Sequence, residues 1–490
     1  MTIQQVAPVP AAPAPAVAPG AGTEREVPPR TTSRTVVRGG TTAGPRRRRG
    51  PAAPVRRLGA QALLMSAALV ALCAAAVAGA VAVRADTGRL RETVTERAAT
   101  AAGLRFALAD LDAQRANALV PGHSADRPAV LPAGRSADDF QVGNRVLALL
   151  TARQRRAEVS DLLRRLGGDP AEGVRVRVLL DGLGRYDELT ARSSAVDETA
   201  PDRPAGRPPS GAVTLSVDAG EVMHRELLPA ADALASGYAR RADGLADRAH
   251  GAAVAAAWTT AGAGAAALAV LGWCQWRLAR RYRRVFNPAL CAATVAAAVV
   301  TALGTVAFLS AADGVRDAAR AGLRPWARLA EARAVAAEAA ATEGRWFVYD
   351  TRPGSAAVSR FEGLTARLGS LLAPDGYSYA PGRAAHRDVL DRYGRFRDDD
   401  RRMREEHATG RTDAAVLTLT ELGRGRIPFD FWEFAGSLEA LSARHLDVLT
   451  ERTASARDRL AGWPAVPAGV LGGAVLLVGA GLRPRFAEYR

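Results

Sequence analysis

Residues 251–312 contain two long apolar segments that constrain how the rest of the chain can be arranged. The segments, roughly 251–276 and 286–312, are rich in Ala, Val and Leu and are joined by an arginine-rich turn at 277–285. Each is long enough to cross a hydrocarbon layer of about 30 Å, which takes about 20 residues of α-helix. Short loops rich in Arg and Lys stay on the cytoplasmic side during insertion. This stretch therefore predicts a membrane helical hairpin with a cytoplasmic turn.

Two further apolar segments, 58–83 and 465–482, raise the expected number of spans to four. The first follows the basic region 1–57 and is too long for the core of a typical signal peptide, which favours an uncleaved anchor. Gly469 and Gly473 of the last segment form a GxxxG pattern, and such patterns permit close helix approach in lipid. We take both glycines as candidate span-packing residues. Four spans place both termini in the cytoplasm and predict a multi-pass cell-membrane protein.

The distribution of charge agrees with this topology. The chain has no lysine, so all 66 basic residues are arginine, and the net charge is +16. Residues 1–57 contain ten arginines and two glutamates, and the residues after 482 contain three arginines and one glutamate. The turn holds five more, Arg277, Arg280, Arg281, Arg283 and Arg284. This is a positive-inside pattern rather than a nucleic-acid-binding face, so we expect no nucleic-acid partner. The turn arginines are candidates for contact with a cytoplasmic partner, or they only fix topology.

Residues 1–57 are dominated by Pro, Ala, Thr and Arg and show no apolar periodicity. Such a composition cannot bury enough surface to offset chain entropy. The sequence predicts a disordered, basic cytoplasmic tail.

Residues 84–250 predict the first of two extracytoplasmic domains. Helical stretches are expected near 84–120, 137–166, 174–195 and 214–250, separated by segments rich in Pro and Gly. The clearest apolar stripe has helical spacing and comprises Val176, Leu179, Leu180, Leu183, Tyr186 and Leu189. Short connections between such helices are typical of a four-helix bundle. Its first and last helices are expected to continue into the first and second spans.

Residues 313–464 predict a second extracytoplasmic helical bundle. A heptad seam marks its last helix and comprises Ile427, Phe431, Phe434, Leu438, Leu441, His445 and Val448. We interpret His445 as a neutral core histidine in preference to a proton sensor, and Trp346, Phe347 and Tyr349 as packing residues. The expected fold is an all-α membrane protein with four transmembrane helices and two extracytoplasmic bundles continuous with the spans.

The sequence offers no sign of catalysis. The cytoplasm receives only 1–57, 277–285 and 483–490, none of which could fold as a catalytic domain. Nucleophile elbows, HExxH motifs and phosphate-binding glycine loops are missing, and Cys73, Cys274 and Cys291 have no metal-ligand spacing. We expect no enzyme, catalytic residue, metal or cofactor. The acidic clusters, Asp110 with Asp112 and Asp398, Asp399 and Asp400, are interpreted as solvated helix faces.

Several stretches together resemble one family of membrane proteins. They are 107–122 (ALADLDAQRANALVPG), 209–234 (PSGAVTLSVDAGEVMHRELLPAADAL), 280–290 (RRYRRVFNPAL), 329–344 (LAEARAVAAEAAATEG) and 481–490 (GLRPRFAEYR). Their residues and their order are similar to those of the actinobacterial GlnX-type membrane proteins. The Pro- and Arg-rich loop 198–211 and the aromatic stretch 345–352 depart from that pattern.

The resemblance implies a signalling adaptor. Members of that family link an extracytoplasmic amino-acid-binding lipoprotein to a soluble cytoplasmic serine/threonine kinase, and they supply no catalytic residues to carry over. Two alternatives remain open from the sequence. One is a direct small-molecule sensor whose helical bundle binds the ligand itself. The other is a non-catalytic membrane component of a transport or cell-envelope complex.

Overall fold

The computed structural model describes residues 52–123, 137–282, 287–349, 356–376 and 382–487. The described part of the chain consists of helices joined by turns and contains no β-strand. The α-helices are α1 Ala52–Glu92, α2 Ala99–Asn117, α3 Ala137–Leu166, α4 Gly173–Glu198, α5 Ser210–Val222, α6 Leu228–Tyr282, α7 Pro288–Ala318, α8 Arg324–Tyr349, α9 Ala356–Leu372, α10 Arg383–Ala408, α11 Thr412–Thr420, α12 Ile427–Asp458 and α13 Ala465–Ala487. The predicted tail lies outside the described residues except for 52–57, which belong to α1.

Three very long helices form the frame of the molecule. Single π-helical turns connect α1 to α2 (π1, Thr93–Ala98), α5 to α6 (π2, Met223–Leu227) and α7 to α8 (π3, Ala319–Leu323) without interrupting the helix. Together with α13, these helices are long and apolar enough to cross a membrane. The expected continuity between bundle and span is therefore present in three of the four cases.

The fourth span is not continuous with its bundle. Helix α12 ends at Asp458, and α13 begins at Ala465 after a series of tight turns. Pro464 immediately precedes α13, and proline has no N–H to continue a helical ladder. Trp463 in this connection packs on Phe308 of α7, with ring centroids 6.1 Å apart. The break follows from local sequence and differs from the expected continuous helix.

The first bundle consists of α2, α3, α4 and the joined helix α5–α6. The predicted α3 bounds are correct to the residue. Helix α4 and the joined helix α5–α6 are longer than expected, and α2 ends at Asn117, three residues before the expected end. Val176, Leu179, Leu183 and Tyr186 are buried as the stripe predicts. Leu180 is 50% exposed, so its inclusion in the stripe was wrong. It lies one residue past Leu179 and hence about 100° around the helix from the buried face.

The second bundle consists of α8, α9, α10 and α12, with α11 packed at one end. The heptad seam of α12 is confirmed, because its members are buried except for Phe431, which is partly buried. Phe396 of α10 stacks on Phe434 of α12 with an interplanar angle of 8°. The seam therefore faces α8 and α10 as a bundle core.

The two bundles share a core along α2 and α8. One hydrophobic cluster contains Leu104 and Leu108 of the first bundle together with Trp326 and Ala337 of the second. Gly344 of α8 permits the closest approach, since a Cβ there would lie 2.1 Å from the Asn117 Oδ1 atom. The polar half of the molecule is thus a single packed body of two bundles.

Candidate functional site

The segment Glu343-Gly344-Arg345 of α8 connects the polar interiors of both bundles. Glu343 is buried in the second bundle, where it hydrogen-bonds to Asp400. Arg345 enters the first bundle, where its Nη2 donates to Asp112 Oδ1. Successive helical residues are rotated by about 100°, so Glu343 and Arg345 face different bundles while Gly344 contacts α2. This junction brings buried charged groups of both bundles onto one helix.

Inside the first bundle, Arg345 and Asp112 form a buried ion pair. Their side chains are 13% and 2% exposed, and the Tyr186 hydroxyl donates to the same Asp112 oxygen at 3.2 Å. Burial alone would lower the Arg345 pKa, but the Asp112 charge outweighs it and raises the pKa of the guanidinium. Burial and the Asp112 charge also raise the pKa of Tyr186 well above its usual value. The pair is therefore a fixed charged contact between bundles.

Two further side chains complete this polar interior. The Tyr349 hydroxyl of α8 donates to Ser216 of α5. The His224 Nδ1 atom in π2 lies 2.7 Å from the Gly220 carbonyl oxygen. Burial lowers the His224 pKa, and the negative charge of Asp112 opposes this shift. Because His224 belongs to π2, a shift in that helical turn would change the electrostatic environment of the Arg345–Asp112 ion pair.

A second charged group closes the end of the first bundle. Asp197 of α4 is fully buried and accepts from Arg203 Nη2 at 3.1 Å, with His123 Nε2 at 3.0 Å and Arg145 at 3.5 Å. Arg203 lies in the 198–211 loop singled out in the sequence, and the loop is pinned by the Gly206 N–H donating to the Val120 carbonyl at 2.8 Å. A cavity of about 20 Å³ beside it has room for about one water molecule.

The acidic clusters are not solvated helix faces, which corrects the sequence interpretation. Asp112 is paired as described above, and Asp110 is 6% exposed and bonded to Arg155 at 2.5 Å. Asp399 and Asp400 are 5% and 3% exposed. Only Asp398 is exposed, with 64% of its side chain accessible. Composition suggested hydrophilic faces, but each buried carboxylate has an arginine beside it. The arginine comes from another helix for Asp110 and Asp112, and from α10 itself for Asp399 and Asp400.

Carboxyl groups occur in pairs within the second bundle. Glu343 faces Asp400, and Asp399 faces Asp430 of α12. The Asp399 pKa is raised to about 7. Burial is the largest cause and the hydrogen bond to Asp430 is the second, whereas the Arg402 charge opposes the shift. Burial and Asp400 likewise raise the Glu343 pKa well above its usual value. The Asp399–Asp430 pair can share a proton near neutral pH. The described residues contain no group of three or more His, Cys, Asp or Glu arranged to hold a metal ion.

A groove lies where the first bundle meets α8. Its volume is about 320 Å³, and its walls come from α2, α6 and α8, together with the last residue of π1. Arg105 of α2 lines it at 8% exposure, with its Nε 3.1 Å from Asp232 Oδ1 of α6. The remaining lining residues are mostly alanines, with Trp326 of α8. All three helices lead into candidate spans.

The structure describes some of the arginines predicted for the cytoplasmic turn. The guanidinium of Arg277 lies over Trp273 at 5.2 Å, and that of Arg280 over Trp276 at 4.1 Å. The side chain of Arg281 and all of Arg283 and Arg284 lie outside the described residues. Tryptophan is enriched at membrane interfaces. Exposed Trp258, near the other end of the same span, is separated from Trp276 by about 27 Å of helix, close to a hydrocarbon thickness.

Gly469 and Gly473 lie on α13 where a Cβ would meet no atom within 4 Å. Neither is at a contact with another described helix, so their role in span packing stays a prediction. The close contacts among the spans occur elsewhere. A Cβ at Gly264 would lie 2.1 Å from Thr301 Oγ1, and Asn287 Nδ2 donates to the Gly481 carbonyl at 2.8 Å.

His445 occupies the core position predicted for it. It is 3% exposed, and its Nδ1 lies 2.7 Å from the carbonyl oxygen of Ala321 in π3. Burial lowers its pKa, which favours the neutral ring that donates this bond. Gly322 in the same turn approaches the backbone of Leu449, where a Cβ would lie within 2.8 Å. The histidine therefore ties α12 to π3.

Comparison with known proteins finds a family match for one region of the chain. Residues 86–247 match the model of a family described as an actinobacterial sensor domain. The match covers the first bundle, including Asp112 and Asp197 and two walls of the groove, and it supports a sensor-type protein with a role in sensing or signalling. No curated protein and no solved structure matches the chain.

Proposed function

We propose that this chain is a transmembrane signalling adaptor. It relays the state of an extracytoplasmic solute-binding protein to a cytoplasmic partner, and the resemblance noted above favours a serine/threonine kinase. The sensor-domain match supports the sensing part of this function. In this proposal the bundles lie outside the cell, and the Arg277–Arg284 turn faces the cytoplasm together with both termini.

The observation that carries the proposal is the continuity of three helices from the joined bundles into the spans. Each passes through one π-helical turn in the polar half. A π turn contains an extra residue relative to an α-helix and is often found at functional positions. Moving that extra residue would rotate or shift the attached helix by a fraction of a turn. Such a shift can reach the far end of a span because the helix is unbroken.

The bundles respond together because they are joined at α2 and α8. A binding protein that favours one arrangement of either bundle would act on the Arg345–Asp112 pair and on the contact between Gly344 and Asn117. In π3, the His445 bond to Ala321 would transmit the change to α12. The shift in the equilibrium can be no larger than the difference in the partner's affinity for the two arrangements.

The output surface is the arginine-rich turn. Arg277 and Arg280 are held against tryptophans, which orients their charges at the end of the span. The affinity of a partner with an acidic face would change with the spacing of these charges. The alternative is that these arginines serve only to fix the membrane topology.

Crosslinking in intact cells tests this proposal. The tagged full-length chain is crosslinked, and captured proteins are identified by mass spectrometry. The adaptor function predicts recovery of both a solute-binding lipoprotein and a serine/threonine kinase. Recovery of neither, from a correctly inserted and well-expressed chain, overturns it.

A variant set then tests the turn. Replacing Arg280, Arg281, Arg283 and Arg284 with Gln should abolish kinase recovery and retain the lipoprotein, which serves as an internal control. Arg277 is kept to help maintain topology. The matched control replaces four exposed arginines of the bundles, Arg89, Arg164, Arg225 and Arg401, whose side chains are at least 70% accessible. Unchanged kinase recovery in the turn variant would assign those arginines to topology alone.

Direct sensing by the bundles is a second candidate function. The observation favouring it is the groove between α2, α6 and α8, whose volume falls within the range of small-molecule sites. An input bound there would act on the same three continuous helices.

A further inference from the structure

We infer that the groove between the two bundles is a binding site for a small organic carboxylate. This inference deepens the direct-sensing candidate and does not depend on any partner protein. It rests on the volume of the groove, the charges around it and the apolar surface of its floor.

The groove exists because small side chains meet there. Its floor and walls include Ala98 of π1, Ala102 of α2, Ala235 and Ala239 of α6, and Ala327 and Ala330 of α8. Larger residues at these positions would fill the space, and Trp326 closes one side with only 6% exposure. The volume of about 320 Å³ accommodates a molecule with several carbon atoms. The methyl groups and the indole offer it an apolar surface.

The charges of the groove favour an anion. Asp232 is paired with Arg105, and Glu331 with Arg367 of α9. Arg240 on the α6 wall has no ion-pair partner among the described residues, so the groove carries an excess of positive charge. A bound carboxylate would supply the missing counter-charge.

Arg105 provides the second part of the anion site. Arg105 is more than nine-tenths buried, and its Nε lies 3.1 Å from Asp232 Oδ1. Neither of its terminal nitrogens has a hydrogen-bond partner within the described chain. Guanidinium groups bind carboxylates through paired N–H donors. Arg105 and Arg240 come from different helices, α2 and α6, so a ligand between them would link the first and second long helices.

An organic acid fits this surface better than an inorganic anion. Inorganic phosphate would use the arginines but leave the partly exposed alanines of the groove in contact with water. Burial of each CH₂ on that floor should tighten binding roughly fourfold by the general scale for apolar transfer. Affinity should therefore rise with chain length until the groove is filled.

The test measures thermal unfolding and direct binding of the full chain in detergent, with straight-chain carboxylates from acetate to hexanoate as probes. The uncharged amides of the same lengths and inorganic phosphate serve as comparison ligands. Hexanoate is expected to stabilise the protein and bind at least tenfold more tightly than hexanamide, acetate or phosphate. Equal effects of carboxylate and amide, or equal effects of hexanoate and phosphate, overturn the inference.

Variants locate the site. Arg240→Met should weaken hexanoate binding at least tenfold while leaving folding intact, because this side chain is exposed and unpaired. Arg105→Met should likewise weaken hexanoate binding at least tenfold. Ala235→Leu should block the groove, and Arg225→Met, an exposed arginine outside it, should change nothing. Undiminished binding in both Arg240→Met and Ala235→Leu overturns the location. None of these results depends on the kinase or the binding protein, so the adaptor proposal stands or falls separately.

Discussion

Arg345 of α8 pairs with Asp112 of α2, and this buried ion pair joins the two helical bundles. The residues are 233 positions apart in sequence. Tyr186 adds a hydrogen bond to the same carboxylate from a third helix, α4. Any movement of one bundle relative to the other must preserve or break this contact. The Arg345–Asp112 pair is therefore a candidate for coupling the movements of the two bundles.

Removing one member of the pair should destabilise the protein strongly. Arg345→Met leaves the Asp112 charge buried without its partner, and such losses cost about 3–5 kcal/mol. Arg401→Met is the matched control, since Arg401 and Asp398 are 71% and 64% exposed and surface pairs contribute only about 0–1 kcal/mol. Thermal and denaturant unfolding of the full chain in detergent would measure both effects.

The double variant Arg345→Met with Asp112→Asn completes the cycle. It should recover part of the lost stability, because the uncompensated charge is gone. A double variant no more stable than Arg345→Met alone would show that the ion pair is not the source of the loss.

Gly322 should be intolerant of substitution. An alanine Cβ there would lie within 2.8 Å of the Leu449 backbone, which cannot move aside as a flexible side chain could. Gly322→Ala should therefore separate π3 from α12 and cost about 1–3 kcal/mol, as overpacking does. Gly436→Ala on α12 is the control, since nothing lies within 4 Å of its Cβ position. That change should stabilise the helix by roughly 0.5–1 kcal/mol. Equal melting temperatures for the two variants would contradict the close approach.

The Asp399–Asp430 pair predicts a pH-dependent stability. The Asp399 pKa is about 7 in the fold and about 3.9 in an unfolded chain. The folded state therefore binds the proton more tightly, and its stabilising contribution, complete below about pH 4, is lost as pH rises through 7. Asp399→Asn should raise the melting temperature at pH 8 relative to the parent chain and have little effect at pH 4.

Asp398→Asn, one residue away but exposed, should leave the pH profile of melting unchanged. If Asp399→Asn instead lowers stability at pH 8, the ionised carboxylate paired with Arg402 is the stable form. The carboxyl pair would then not store a proton near neutral pH.

The glycines of the spans should differ in their tolerance. Gly264→Ala would press a methyl group against Thr301 of the neighbouring span and should lower the melting temperature in detergent. Gly469→Ala and Gly473→Ala meet open space and should leave it unchanged. A loss of stability in the latter two would indicate that α13 packs against another molecule at its GxxxG pattern.

The sequence alone determined the helical character of the chain and the approximate positions of most helices. The bounds of α3 and the seam of α12 were predictable because apolar periodicity and Gly/Pro breaks act locally. Four apolar segments and the arginine turn gave the candidate spans by the same short-range reasoning. The core position of His445 followed from its place in the heptad.

Only the tertiary structure decided which charged residues are buried. Asp112 lies one helical turn beyond the buried Leu108 of α2, a spacing that could have marked it as internal. Its partner Arg345, on a helix more than two hundred residues away, could not be identified from either segment. The same holds for Asp399 with Asp430 and for the groove lined by Arg105. The physical reason is that burial of charge depends on a partner brought close by packing, and no local pattern encodes that partner.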